Sequence, residues 1–190
     1  MKIDRLVRKS RSYRRFREGY RVSKKILLDL AELGRLSPSM RNQQALKFYL
    51  SNTGAANNLI FPALRWAGAL KDWNGPCPGE RPAAYILILG DTKISRDFGP
   101  DHGIAAQSML LGAVERGLGG CMIGNIDRGM LREAVNVPAH LEILLVVAIG
   151  KPHEKIILEP VKDSGGTAYY RDGSGAHHVP KRRLRDIVIR

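Results

Sequence analysis

A helix that is apolar on nearly every side is usually buried, and the stretch 101–124, DHGIAAQSMLLGAVERGLGGCMIG, holds such a helix over 102–118. Ile104, Ala105, Ala106, Met109, Leu110, Leu111, Ala113, Val114 and Leu118 leave almost no polar face. Asp101 stands where an N-cap is expected. Ala105, Ser108 and Gly112 line up as a stripe of small residues, a surface that lets a second helix approach closely. Gly117, Gly119 and Gly120 follow, more glycine than one helix stop requires. Two readings stay open there: a simple turn into a strand over 121–123, or backbone left bare for a flat ligand.

The rest of the chain divides around this helix. The pattern predicts a short helix over 4–9, a helix over 24–35 capped by Ser23, and a strand over 46–52. Residues 55–73 read as helical but broken at Pro62. The proline-rich stretch that follows makes 54–82 either a lid over a pocket or a packed excursion. Continuous apolar runs over 83–90 and 141–150 are buried central strands. Asp127 opens a short helix that ends before Pro138, and 155–158 is short extended structure. Glycine-rich 164–176 is an exposed loop, and 186–189 is a strand or an arm. These elements predict one α+β domain over 1–190. The Rossmann glycine motif and the P-loop signature are both missing.

Charge is unevenly placed. The chain of 190 residues has a net charge of +13, yet residues 26–180 hold 15 basic and 15 acidic side chains. Residues 1–25 carry 11 Lys and Arg against 2 Asp and Glu, and residues 181–190 carry 5 against 1. The basic ends are arms for nucleic acid, a patch facing a membrane, two halves of one anion site, or plain solvated surface. An aromatic content of 6% and a neutral middle argue against nucleic acid. Charge near the N-terminus without a following apolar run argues against a secretory signal, and no run is long enough to span a bilayer. Cys77 and Cys121 form neither a disulfide framework nor a metal pattern, which fits a cytoplasmic protein with reduced thiols.

Three polar clusters are candidate sites. In an extended segment Ser12 and Arg14 point the same way, with Arg11 beside them, a set of donors suited to phosphate. Residues 37–44, SPSMRNQQ, offer hydroxyls and amides after a helix, and Lys181 and Arg182 are a second basic group. The five histidines have no HExxH spacing, and no GxSxG elbow occurs. Anion-binding elements without a nucleophile or metal set point to chemistry carried by a cofactor.

In this order the clusters resemble the FMN-dependent nitroreductase family over nearly the whole chain. Residues 11–16, RSYRRF, are similar to the family's RRSxRxF phosphate motif, and residues 37–44 to its APSxxNxQPW loop. Residues 117–124, GLGGCMIG, resemble its GLGxxWxG segment, Gly150-Lys151-Pro152 its GYP element, and residues 179–182 its C-terminal basic element. Ser10 replaces a common first arginine, Ala45-Leu46 replace Pro-Trp, and Cys121-Met122 replace a bulkier aromatic. The resemblance implies a three-layer α/β/α sandwich with a mixed central sheet, in an intertwined homodimer whose long helices, 102–118, pair near the dimer axis. It implies that Arg11, Ser12, Arg14 and Lys181 or Arg182 hold the FMN phosphate. Pro38, Ser39 and Asn42 would come from the partner subunit, Gly119 and Gly120 would contact the ring, and 177–190 would be a basic arm. The implied reaction is ping-pong, from NAD(P)H through FMN to a nitroaromatic, quinone or enone, with no metal and no catalytic side chain. A flavin-binding relative with another reaction, such as a dehalogenase-like member, and a nucleic-acid module are the alternatives.

Overall fold

The computed structural model describes residues 2–162 and 165–189. At its centre is a four-stranded sheet in the order β1 (Leu46–Ser51), β2 (Ala84–Asp91), β4 (Leu141–Gly150), β3 (Gly119–Ile123). Every residue of β2 is buried, as its continuous apolar run requires of a strand covered on both faces. Because successive side chains alternate, Ile86, Ile88, Val147 and Ile149 face one layer and Tyr85, Leu87, Val146 and Ala148 face the other. The first layer contains α2 (Lys24–Arg35) and α4 (Asp101–Glu115); the second contains α3 (Gly54–Ile60) and α5 (Arg128–Ala134). This is an α+β, three-layer α/β/α sandwich. All pairs within the four strands are antiparallel; the parallel contact at this sheet is a bridge between Ser12 and Gly120. A second, mixed sheet joins β5 (Ile156–Pro160), β7 (His177–Lys181) and β6 (Tyr170–Arg171), with β5 and β7 parallel.

The short N-terminal helix is α1, Ile3–Lys9. Ser23 caps α2 by accepting from the Ile26 N–H, and Asp127 caps α5 by accepting from the Met130 N–H. Asp101 does not cap α4. Pro100 occupies that position, while the buried Asp101 carboxylate accepts the Met40 N–H at 2.8 Å and so ties the 38–44 loop to the helix. The predicted helix over 102–118 stops at Glu115 because Gly117 turns the chain with φ of 70°. Helix also fails beyond Pro62: α3 gives way to a 3-10 turn over Phe61–Ala63 and then irregular chain. Ile60, Ala63, Leu64 and Trp66 of this stretch lie in the core, which confines any lid to residues beyond them. The predicted exposed loop over 164–176 contains β6, and its Ser164 lies outside the described residues. The basic arm is not free over its first part, since His177–Lys181 is strand; Leu184–Asp186 is a 3-10 turn where a strand over 186–189 was an option. No helix among the described residues is long and apolar enough to cross a membrane.

The small-residue stripe of α4 is used within the chain. A Cβ at Gly112 would overlap Leu33 of α2, with Leu30 at 3.2 Å, and the Ser37 and Ser108 hydroxyls are hydrogen-bonded at 2.7 Å. Within the chain, the partner of this stripe is α2. Gly112→Leu should overpack the α2–α4 contact and cost about 1–3 kcal/mol. Urea unfolding measures this, and an unchanged midpoint and slope would contradict the packing described.

Candidate functional site

Residues 10–17 run extended along the open end of β3 and β4. Ser12 bridges Gly120, the Tyr13 N–H donates to the Gly120 carbonyl at 2.9 Å, and Phe16 pairs with Pro152. Glycine makes this docking possible: a Cβ on Gly150 would stand 2.8 Å from the ring of Phe16, which is fully buried. Gly119 and Gly120 do the same for Tyr13 and Leu110. Both glycines are buried and neither lines the cleft described next.

Glu154 pins the segment from its other side. Its carboxylate, 1% exposed, accepts the Arg14 N–H at 2.5 Å and the Arg15 N–H at 3.2 Å, and pairs with Arg171 at 3.2 Å. The Arg171 guanidinium also lies 4.2 Å over the Trp73 ring. Arg15 turns away from the cleft to a bidentate pair with Glu80. The backbone of 14–15 is thus fixed, and Arg14 projects alone toward β7.

The result is a cleft of about 370 Å³, within the usual range for small-molecule sites. Arg11, Ser12 and Arg14 line it from the N-terminal segment, Gln107 and Leu110 from α4, Met122 from β3, and His177, Val179 and Lys181 from β7. Tyr169 closes it, with the Arg14 guanidinium 4.7 Å over its ring. No carboxylate is among these lining residues. The Arg11 Nη2 donates to the Val7 carbonyl at 2.7 Å, but its Nε is buried with no partner among the described residues. Burial holds the Arg11 pKa below its ordinary value, the response of a cation that lacks a counter-ion. Burial, then Glu154, raises the Tyr13 phenol, and burial raises the Cys121 thiol.

Four expected residues converge here: Arg11, Ser12, Arg14 and Lys181. Arg182 is exposed and does not line the cleft. Pro38 and Ser39 line a different cleft of about 230 Å³, with Gln44, Phe48 and Asp101. Asn42 is exposed and lines neither. The loop carrying it is strained: Arg41, Asn42 and Gln44 all have φ between 51° and 54°. His177 and Tyr169 have no signal in the sequence because neither sits in a spaced motif; the pairing of β7 with β5 and β6 brings them opposite Arg14.

The outer face of β7 carries a second ionic cluster. His178 contacts Glu159 at 2.9 Å and Asp172 at 3.1 Å through its two ring nitrogens and stacks on Tyr170. These carboxylates, Glu159 first, raise its pKa, and Ser174 and then His178 hold Asp172 low.

The cleft is thus part-buried, lined by Arg11, Arg14 and Lys181 and by no carboxylate, with the Arg11 Nε unpartnered among the described residues, a lining suited to an anionic group. The chain belongs to the Nitroreductase family, whose model matches residues 7–151. Solved structures agree in fold. A Desulfovibrio desulfuricans protein assigned as a nitroreductase, in complex with FMN, is 22% identical, with TM-score 0.71 over 100% of this chain and 96% of that one. A Streptococcus pneumoniae nitroreductase family protein is 15% identical, with TM-score 0.70 over 100% of both chains. An FMN-dependent nitroreductase from Clostridium difficile is 22% identical, with TM-score 0.63 over 84% of this chain and 91% of that one.

Two tests follow from these contacts. Glu154→Ala leaves two backbone N–H groups and a guanidinium without their acceptor and should cost about 3 kcal/mol in urea unfolding; a loss near zero would contradict the pinning role. His178 gains its carboxylate partners on folding, so its stabilisation is full below the unfolded imidazole pKa. It is lost as pH rises through the raised folded value. The melting temperature should therefore fall across that window in the wild type and lose that pH dependence in His178→Asn; parallel profiles would contradict it.

Proposed function

We propose that the protein is an FMN-dependent oxidoreductase that moves electrons from NAD(P)H to an electron-poor small molecule, a nitroaromatic, quinone or enone, in alternating half-reactions. The observation that carries this reading is the convergence of Arg11, Ser12, Arg14 and Lys181 on one cleft from opposite ends of the chain. The residues fit a phosphomonoester: the orphaned Arg11 Nε, the Arg14 guanidinium and the Ser12 hydroxyl are donors of the kind its oxygens accept. Lys181, which lines the cleft, is assigned to the phosphate in preference to Arg182. FMN, when bound, supplies the hydride and electron chemistry. The basic residues would hold its phosphate end, with Leu110 and Met122 as the apolar part of the lining beside it.

Pro38, Ser39 and Asn42 do not line this cleft in one chain; in this reading they would come from a second copy, in a homodimer with two sites. Gly119 and Gly120 would approach the ring through backbone alone. A cytoplasmic location fits two cysteines, Cys77 and Cys121, that are not bridged to each other. Nucleic acid and membrane are not partners in this reading.

Arg14→Ala removes a charge-assisted contact worth about 1.5–3 kcal/mol, so FMN affinity should fall roughly tenfold to a hundredfold while riboflavin affinity barely changes. Paired fluorescence titrations measure both. Equal losses, or none, would remove Arg14 from a phosphate site.

A further inference from the structure

His177 is 1% exposed, yet it belongs to the cleft and not to the core. Along β7 alternate residues share a face, so His177, Val179 and Lys181 all line the cleft while His178 faces away to Glu159 and Asp172. The backbone N–H of His177 is already used, donating to the Lys155 carbonyl at 2.8 Å. Its ring lies 5.2 Å from that of Tyr169, in a tilted contact that fixes its orientation.

The ring nitrogens are in unequal positions. Nε2 is 3.4 Å from Arg14 Nη1. A guanidinium has donors only, so Nε2 must accept, and the ring proton belongs on Nδ1. Burial, the largest influence, lowers the His177 pKa, and the Arg14 charge acts the same way against the opposing effect of Glu154; both agree with a neutral ring. Nδ1 is buried and has no hydrogen-bond partner among the described residues. A buried N–H donor without an acceptor is costly, and the residue that bears it lines a cleft in which the Arg11 Nε also has no partner among the described residues.

We propose that His177 is a further, neutral donor to the anion in this cleft, its Nδ1–H aimed at a phosphoryl oxygen by the contact of Nε2 with Arg14. This rests on the reading of the cleft as the FMN phosphate site. Arg14 then acts twice, as a charge on the phosphate and as the group that selects the histidine tautomer. His177 adds a directed bond without a further positive charge, beside three cations that already repel one another.

Three substitutions separate this role from packing. His177→Phe keeps ring volume and the Tyr169 contact but has no donor. His177→Asn places an amide N–H near the position of Nδ1, and His177→Gln places its amide nearer Nε2. Affinities for FMN and riboflavin are measured for each, and the ratio is the readout. The ratio should fall about tenfold in His177→Phe and His177→Gln and stay near the wild-type value in His177→Asn. A wild-type ratio in His177→Phe, or the same loss in all three, would overturn the role of His177. A wild-type protein that binds FMN no better than riboflavin would instead overturn the phosphate reading of the cleft. Nitrogen-15 NMR of wild-type protein gives an independent answer should the variants not fold. The His177 Nδ1–H resonance should move downfield with FMN and not with riboflavin; a resonance unmoved by FMN, or one showing the proton on Nε2, would overturn the proposal.

Discussion

The buried carboxylate of Glu154 is the contact on which the candidate site depends. It accepts from two successive backbone N–H groups, Arg14 and Arg15, and pairs with Arg171 of β6. One side chain thus joins the N-terminal segment to the small C-terminal sheet. That joint adds to the direct contacts of Arg14 with His177 and Tyr169 in holding the N-terminal segment against β7. A carboxylate nearby but outside the cleft holds the scaffold without occupying the anion position. The bonds it makes are directed, so geometry as well as charge is fixed.

The sandwich supports this arrangement by leaving one sheet end bare of side chains. Gly119 pairs with Gly150 across β3 and β4, and the space they leave is filled by Tyr13, Phe16 and Pro152. The glycines that read as ligand-approach residues therefore serve a packing need first. The same holds for α4, whose small-residue stripe admits its own α2. In both places the requirement for close approach was visible in the sequence, while the identity of what approaches was not.

Much of the fold could be read directly. Apolar runs at 83–90 and 141–150 marked the central strands, and Ser23 and Asp127 marked real caps, because these signals are local. What escaped depended on distant partners. Asp101 looked like a cap but serves the Met40 amide; the helical pattern beyond Pro62 was overridden by burial of Leu64 and Trp66. Of the site, Arg11, Ser12, Arg14 and Lys181 were legible as basic clusters at the chain ends. Glu154, Tyr169 and His177 were not, since single residues acquire meaning only through the β5–β7–β6 pairing. The strained loop at Arg41, Asn42 and Gln44 was seen as polar, but its left-handed backbone has no signature in those residue types.

The central claim is that this cleft holds the phosphate of a flavin mononucleotide. The most direct measurement is the visible absorption spectrum of the purified protein, with chromatography of whatever heat releases from it. A flavin spectrum and FMN as the released species, with no FAD, is the predicted result. A colourless protein that takes up no added FMN would contradict it.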